Sequence, residues 1–141
     1  MPGASRSILI DAPIETVFGI ITDYEKYPEF LSEVKAIRVS ERREGEAVVQ
    51  YEVSVLKTIR YTLKLKEEKP RRISWSLVEG ELMRENHGSW LLEPQGKQTR
   101  ATYSIEMTLG PLVPKAMVNA LVDSSLPKML ESFKKRAEGK A

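Results

Sequence analysis

The sequence predicts an α+β domain in which a curved antiparallel sheet wraps around one long C-terminal helix. Three features lead to this prediction. Segment 110–137 is the one stretch with sustained helical periodicity. Six consecutive segments from residue 34 onward alternate apolar and polar side chains, which is the pattern of half-buried strands. The connections between those segments are short, which favours an antiparallel meander.

Composition limits the class of protein. A chain of 141 residues suits a single domain, 1–141, with a substantial core. With 41% hydrophobic and 30% charged residues it is typical of neither a disordered nor a membrane-spanning chain. The net charge of +2 is too balanced for nucleic acid as the main partner, so we expect no DNA binding. The lack of cysteine excludes disulfides and thiolate chemistry.

The N-terminal stretch lacks the apolar run of a signal peptide. No apolar run approaches the roughly 20 residues that a transmembrane helix needs. We therefore expect a cytoplasmic protein that can lie against the inner membrane peripherally.

The first third of the chain predicts one strand and two short helices. Residues 7–10 are a short apolar run and predict the first strand. Asp11 and Pro13 then suit a helix start, as cap and early helical position. One face of this helix carries Ile14, Val17, Phe18 and Ile21. A second short helix is predicted in 23–31, where Pro28 fits the first turn. Both helices are too short to be stable alone, so we expect them to pack on the sheet.

From residue 34 the period changes to two, and the apolar members of each segment share one face. Turn residues such as Glu44-Gly45 and Gln95-Gly96 separate the segments. The predicted inward positions include Tyr51, Val53, Tyr61, Leu63, Leu65, Ile73, Trp75, Leu77, Trp90, Leu92, Ala101, Tyr103, Ile105 and Met107. Together with the first strand, this gives seven strands.

The long helix carries one apolar stripe at three- and four-residue steps. The stripe consists of Val118, Val122, Leu126, Met129, Phe133 and Ala137. Met117 and Leu121 widen it beyond what a surface helix needs. Pro127 lies inside the pattern and should kink the helix, because proline removes one backbone hydrogen bond and clashes with the preceding turn.

The inward face of the predicted sheet carries five large aromatic residues and no charge. These residues are Tyr51, Tyr61, Trp75, Trp90 and Tyr103. Each brings a large apolar body and one hydrogen-bonding tip. An apolar wall with a few polar tips is typical of a small-molecule pocket. The alternative is that these side chains fill a closed core.

The order of several motifs resembles a known superfamily. These motifs are the YPEFL segment at 27–31, the Gly88-Ser89-Trp90 strand, Thr99 with Tyr103, and the ending at 133–137. Over residues 6–137 the chain resembles the START-like, or helix-grip (SRPBCC), superfamily. Within it, the resemblance is greatest to the polyketide cyclase/dehydrase and lipid transport group, which contains the coenzyme Q-binding proteins and the bacterial ribosome-association toxin.

The resemblance implies a seven-stranded antiparallel sheet around the helix, with a hydrophobic cavity opening near the two short helices. It also implies non-catalytic binding or transport of a hydrophobic small molecule, namely a quinone, an isoprenoid or another lipid, without cofactor or metal. Two alternatives are a polyketide cyclase-like enzyme and a docking protein on the ribosome. The residues that we expect to bind the ligand are Phe30, Leu31, Tyr51, Val53, Tyr61, Leu63, Trp75, Leu77, Arg84, Trp90, Tyr103, Ile105, Met117 and Leu121.

A few further residues bear on these alternatives. His87 is the lone histidine, and a solvated loop position is the simpler interpretation than a general base. Arg84 is included in the site because, if it points inward, it is the one fixed charge able to meet a polar head group. The apolar loop 109–115 is a candidate for transient membrane contact. Lys57, Arg60 and Lys64 form a basic outer stripe that is compatible with ribosome contact.

Overall fold

The computed structural model describes residues 3–55 and 57–139. Its seven strands form one antiparallel sheet in the order β1-β7-β6-β5-β4-β3-β2. The strands are β1 (Gly3–Ile10), β2 (Val34–Arg43), β3 (Glu46–Val55), β4 (Lys57–Glu68), β5 (Arg72–Gly80), β6 (Met83–Gln95) and β7 (Gln98–Leu109). The predicted meander and strand count are confirmed.

Strand β1 is longer than the sequence pattern predicted, because it begins at Gly3 rather than residue 7. Its first half pairs with β7, and two hydroxyl pairs join the strands on the outer face. Ser5 Oγ lies 3.0 Å from Ser104 Oγ, and Ser7 Oγ lies 2.9 Å from Thr102 Oγ1. These hydroxyl contacts help to hold β1 against β7 at residues where the sequence lacks the apolar alternation typical of a strand.

Short helices precede the meander and a long helical segment follows it. Helix α1 (Ile14–Thr22) and a 3₁₀-helix (Tyr24–Glu29) connect β1 to β2. The C-terminal segment consists of α2 (Lys115–Ala120), a π-helical turn (Leu121–Ser125) and α3 (Leu126–Ala137). The π-helical turn ends just before Pro127, which lies in the first turn of α3, where proline is tolerated.

The sheet register brings the inward aromatic residues into direct contact. Tyr51 pairs with Tyr61 across β3 and β4, and their rings stack with centroids 5.1 Å apart. Trp90 pairs with Tyr103 across β6 and β7, at 5.0 Å between centroids. Trp75 lies 5.3 Å from Tyr103. These rings form a continuous wall on the side of the sheet that faces α3.

Phe133 anchors α3 on this wall. Its ring makes edge-on contacts with Trp90 at 5.2 Å, with Tyr27 at 5.4 Å and with Phe30 at 5.1 Å between centroids. Leu130 is also buried on this face of the helix. The cluster joins the sheet, the 3₁₀-helix and α3, so these elements share one core.

A polar cluster fixes the 3₁₀-helix to β2 and β4. The hydroxyl of Tyr24 donates to Glu67 Oε2 at 2.6 Å. Arg42 donates to both Glu67 oxygens, at 2.8 and 3.2 Å, and its guanidinium lies 5.3 Å from the centre of the Tyr24 ring. Bidentate charge-assisted bonds of this kind are among the stronger hydrogen bonds in proteins. The short helix is thereby held at the end of the sheet where it can border the space beneath α3.

Gly88 on β6 makes room for the indole of Trp75. A Cβ atom at this position would lie 2.2 Å from the carbonyl oxygen of Ser104 and 2.7 Å from the Trp75 ring. Neither distance is possible for a real side chain, and the nearer atom belongs to the backbone. The missing side chain therefore lets Trp75 lie across β6 within the wall.

We predict that Gly88→Ala lowers the free energy of unfolding by about 3 kcal/mol or more, because the added methyl group meets backbone that cannot move away freely. Chemical denaturation measures this change. Gly19→Ala is the matched control: nothing lies within 4 Å of its added Cβ, and the change should stabilise α1 by up to about 1 kcal/mol. Equal stability of the two variants would contradict the close packing at Gly88.

Candidate ligand-binding cavity

A cavity of about 210 Å³ lies between the inner face of the sheet and the C-terminal helix. Strands β3 to β7 supply one wall, α3 the opposite wall, and residues 31–34 one edge. Most of the lining side chains are apolar. An apolar cavity of about 150 Å³ is large enough for a benzene ring, so this cavity can accept a ring-sized ligand without rearrangement.

The structure places most of the sequence-predicted site residues on this cavity. The lining includes Leu31, Tyr51, Val53, Tyr61, Leu63, Trp75, Trp90, Tyr103 and Ile105. They come from the five strands β3 to β7 and from the segment after the 3₁₀-helix. Their alternation along each strand, with the register described above, brings them together on one side of the sheet.

Four of the other predicted site residues are absent from the described lining of the cavity, namely Phe30, Leu77, Arg84 and Met117. Phe30 packs against Phe133 on the far side of the aromatic cluster. Leu77 is half-buried against the core, and Met117 is fully buried beside the cavity lining rather than within it. The side chain of Leu121 lies outside the described part of the structure.

Arg84 is exposed and does not face the cavity. A β-bulge between Met83 and Glu85 shifts the register of β6 against β7. Because the bulge adds one residue, Met83 and Asn86 face inward while Arg84 and Glu85 face outward. The proposed inward charge is therefore replaced by the neutral amide of Asn86.

Sequence reasoning missed several residues that line the cavity. Asn86 could have been found, because it lies at even spacing from Gly88 and Trp90 on the same strand. The residues on the helical segment belong to the predicted apolar stripe but were left out of the site. The missed apolar residues are Ala4, Ile21, Tyr27, Val34, Leu65, Ile73, Met107, Leu109, Val118, Leu126, Met129 and Phe133.

Polar groups border the cavity where it reaches the surface. Glu33 and Lys128 line it and are partly or fully exposed. The hydroxyl of Ser125 donates to Glu33 Oε2 at 2.8 Å, which joins the π-helical turn to the segment before β2. We call this region, formed by Ser32, Glu33, Ser125, Lys128 and Ser132, the cavity mouth.

Three tyrosine hydroxyls face the cavity interior. Among the described residues, the hydroxyls of Tyr51, Tyr61 and Tyr103 have no hydrogen-bond partner, while every fully enclosed side-chain nitrogen or oxygen has one. The three hydroxyls therefore remain in contact with the open space of the cavity. Burial raises the pKa of each of these tyrosines, so all three stay protonated at neutral pH.

The remaining candidates lie away from the cavity. His87 is exposed on the outer face, 3.3 Å from Glu106. Arg60 on the same face pairs with Glu52 at 3.0 Å and with Glu81 at 3.7 Å. Within residues 3–55 and 57–139 no group of histidine and acidic side chains is arranged to hold a metal ion. None of the helices described there is both long and apolar enough to cross a bilayer.

A sheet wrapped around a C-terminal helix, with an apolar cavity between them, is the architecture of START-like domains. A sequence profile described as polyketide cyclase / dehydrase and lipid transport matches residues 1–138. The ribosome association toxin RatA of Pseudomonas aeruginosa is 30% identical over 139 residues, which cover 94% of this chain and 93% of the toxin. The chain belongs to the polyketide cyclase / dehydrase and lipid transport family.

Solved structures share the fold at low sequence identity. The Zhui aromatase/cyclase from Streptomyces sp. R1128 superposes with a TM-score of 0.87 at 17% identity, covering 97% of this chain and 93% of that one. A START superfamily protein from Mycobacterium smegmatis gives a TM-score of 0.84 at 19% identity, covering 97% of both chains. These similarities confirm the predicted fold, and at such low identity they show the fold alone.

We predict that all five tyrosines fail to ionise near the ordinary tyrosine pKa of about 10 while the protein is folded, because burial raises the pKa of every one. The neutral form is favoured in the folded state, so this stabilisation is complete below pH 10 and is lost as the pH rises further. Tyrosinate absorbance during an alkaline titration measures it, with the protein in denaturant as the control. A tyrosine that titrates near pH 10 in the folded protein contradicts the burial.

Proposed function

We propose that this protein binds and carries a hydrophobic small molecule, namely a quinone, an isoprenoid or another lipid, without transforming it. The observation that carries the proposal is the apolar, aromatic-lined cavity between sheet and helix. The family description, which includes lipid transport, supports the same class of ligand.

The energy for binding would come from removing apolar ligand surface from water. Each Å² of apolar surface buried contributes about 25 cal/mol, so a ligand that buries about 200 Å² gains roughly 5 kcal/mol before ordering costs. The stacked pair of Tyr51 and Tyr61 and the ring of Trp90 offer flat surfaces of this kind. A ring would occupy the interior, and an attached chain would leave through the cavity mouth beside Lys128.

The state of the interior tyrosines favours a carrier over a polyketide cyclase-like enzyme. General base catalysis requires a group whose pKa lies near the working pH. Burial instead raises the pKa of Tyr51, Tyr61 and Tyr103, which moves it further from neutral pH. These hydroxyls are suited to orienting a bound ligand through hydrogen bonds rather than to removing a proton from it.

Transient contact with a membrane surface would give such a ligand a route into the cavity. Leu112, in the loop between β7 and α2, is 86% exposed. The loop is flanked by Leu109 and Val118, which both line the cavity. Lys115 follows at the start of α2, is exposed and can meet anionic head groups. We infer that a cytoplasmic protein uses this loop to touch the inner membrane.

Ribosome docking is a second candidate, favoured by the 30% identity to the ribosome association toxin of Pseudomonas aeruginosa. The basic stripe on the outer face gives it less support, since Arg60 is already paired with two glutamates and the side chain of Lys57 lies outside the described residues. Co-sedimentation with ribosomes over a series of salt concentrations separates this candidate from the carrier.

We predict that the purified protein is stabilised against thermal unfolding by a short-chain quinone such as decylubiquinone. Met129→Trp, which fills the cavity from α3, should weaken binding about tenfold, because a loss of about 60 Å² of ligand burial corresponds to that factor. Val78→Trp introduces the same side chain at an exposed residue outside the cavity and is the control. A protein that shows no thermal shift with any quinone or lipid, and that carries none in native mass spectrometry, does not have this function.

We predict that Leu112→Glu reduces the fraction of protein that sediments with vesicles containing anionic phospholipid by about tenfold, because a buried leucine contributes about 1.5–3 kcal/mol. Leu91→Glu introduces the same charge at a residue that is 41% exposed on the outer face, and it should leave sedimentation unchanged. Equal losses in both variants would mean that net charge, rather than the loop, decides vesicle binding.

A further inference from the structure

Asn86 is a polar side chain enclosed within the apolar wall of the cavity. It is 3% exposed and belongs to the lining. Its Oδ1 accepts a hydrogen bond of 3.0 Å from the indole Nε1 of Trp75. An indole nitrogen can only donate, so the carbonyl side of the amide must face Trp75 and the NH₂ side must point elsewhere.

The NH₂ group of Asn86 is only weakly satisfied by the protein. Nδ2 lies 3.6 Å from the sulfur of Met83, which is a weak acceptor and can engage one of the two hydrogens. The described residues offer the second hydrogen no acceptor. A buried donor without a good acceptor is costly and calls for a physical explanation.

Two of the tyrosines with free hydroxyls lie near Asn86 in the wall of the cavity. Tyr103 packs against Trp75, the residue that the Asn86 amide holds in place. The Cβ atoms of Tyr61 and Met83 both lie within 3.3 Å of the point where a side chain on Gly80 would begin. Tyr61 therefore neighbours Met83, and Met83 in turn touches Asn86.

We propose that Asn86, with the hydroxyls of Tyr61 and Tyr103, forms a hydrogen-bond donor site that receives a neutral carbonyl oxygen of the ligand. This inference rests on the proposed carrier function and names the chemical class of its cargo. Because Oδ1 already accepts from Trp75 and the second N–H of Nδ2 has no protein acceptor among the described residues, the group that Asn86 most needs from a ligand is an acceptor. The site thus selects a ring that bears a ketone or quinone oxygen over a hydrocarbon of the same shape.

Charged head groups are not suited to this position. An isolated carboxylate in an apolar interior is strongly disfavoured unless a cation accompanies it. The one cation among the described lining residues is Lys128, which is exposed at the cavity mouth on α3. A ligand with a neutral acceptor inside the cavity, and with any charged group at the cavity mouth, fits both the apolar interior and the polar mouth.

The test compares the binding of menadione with that of the matching methylnaphthalene, which has the same fused rings and methyl group but no carbonyl. The chain has no cysteine, so menadione has no thiol to modify. Asn86→Asp keeps an acceptor for Trp75 and removes the donor once its carboxyl group is ionised, so the two probes are compared over a pH series and the upper end of the series is used. The ratio of the two dissociation constants should shift about tenfold against menadione in this variant. Gln50→Glu, the same change of amide to carboxylate at an exposed residue outside the lining, should leave the ratio unchanged.

Tyr61→Phe and Tyr103→Phe remove a hydroxyl while the ring stays, and each should shift the ratio in the same direction by about fivefold. They keep the inference testable if Asn86→Asp does not fold. If both probes bind and the ratio stays within twofold of wild type in all three variants, Asn86 serves only to hold Trp75, and the donor site is refuted while the carrier function stands. If neither probe binds the wild-type protein, both proposals are overturned.

Discussion

The contact of Phe133 with Trp90, Tyr27 and Phe30 is the interaction on which the rest of the structure depends. Edge-on aromatic contacts add about 0.5–1.5 kcal/mol each beyond the area they bury. They hold α3 against the sheet at one end of the aromatic wall. Further along, the helix and the curved sheet are lined by smaller side chains such as Val118 and Leu126, and the space between them stays unfilled.

Alternation along the strands was enough to predict the residues of the cavity wall. The sequence did not predict equally well which helix residues line the cavity or where the bulge lies. Tyr51, Trp90 and Tyr103 follow from a period of two because one face of the sheet must be apolar. Arg84, predicted to face the cavity, faces outward because a bulge between Met83 and Glu85 shifts the register by one residue, and no local pattern marks that bulge. On the helix the apolar stripe identified the right face.

The error on the helix came from the residues that widen the stripe. Met117 is buried without lining the cavity, whereas its neighbour Val118 lines it. Both residues precede the π-helical turn, so the turn does not account for the difference. The stripe residues on either side of the turn line the cavity, with Val118 before it and Leu126, Met129 and Phe133 after it.

The same π-helical turn also forms part of the cavity mouth. Ser125 at its end bonds to Glu33, and the backbone oxygen of Glu33 accepts from the Ser54 amide at 2.8 Å, so the cavity mouth is tied both to the helix and to β3. The side-chain bond is worth about 1.5–3 kcal/mol, since a carboxylate accepts it. The roughly 5 kcal/mol that the proposed ligand gains by burial exceeds this value, so the loss of this one bond at the mouth would not by itself prevent binding.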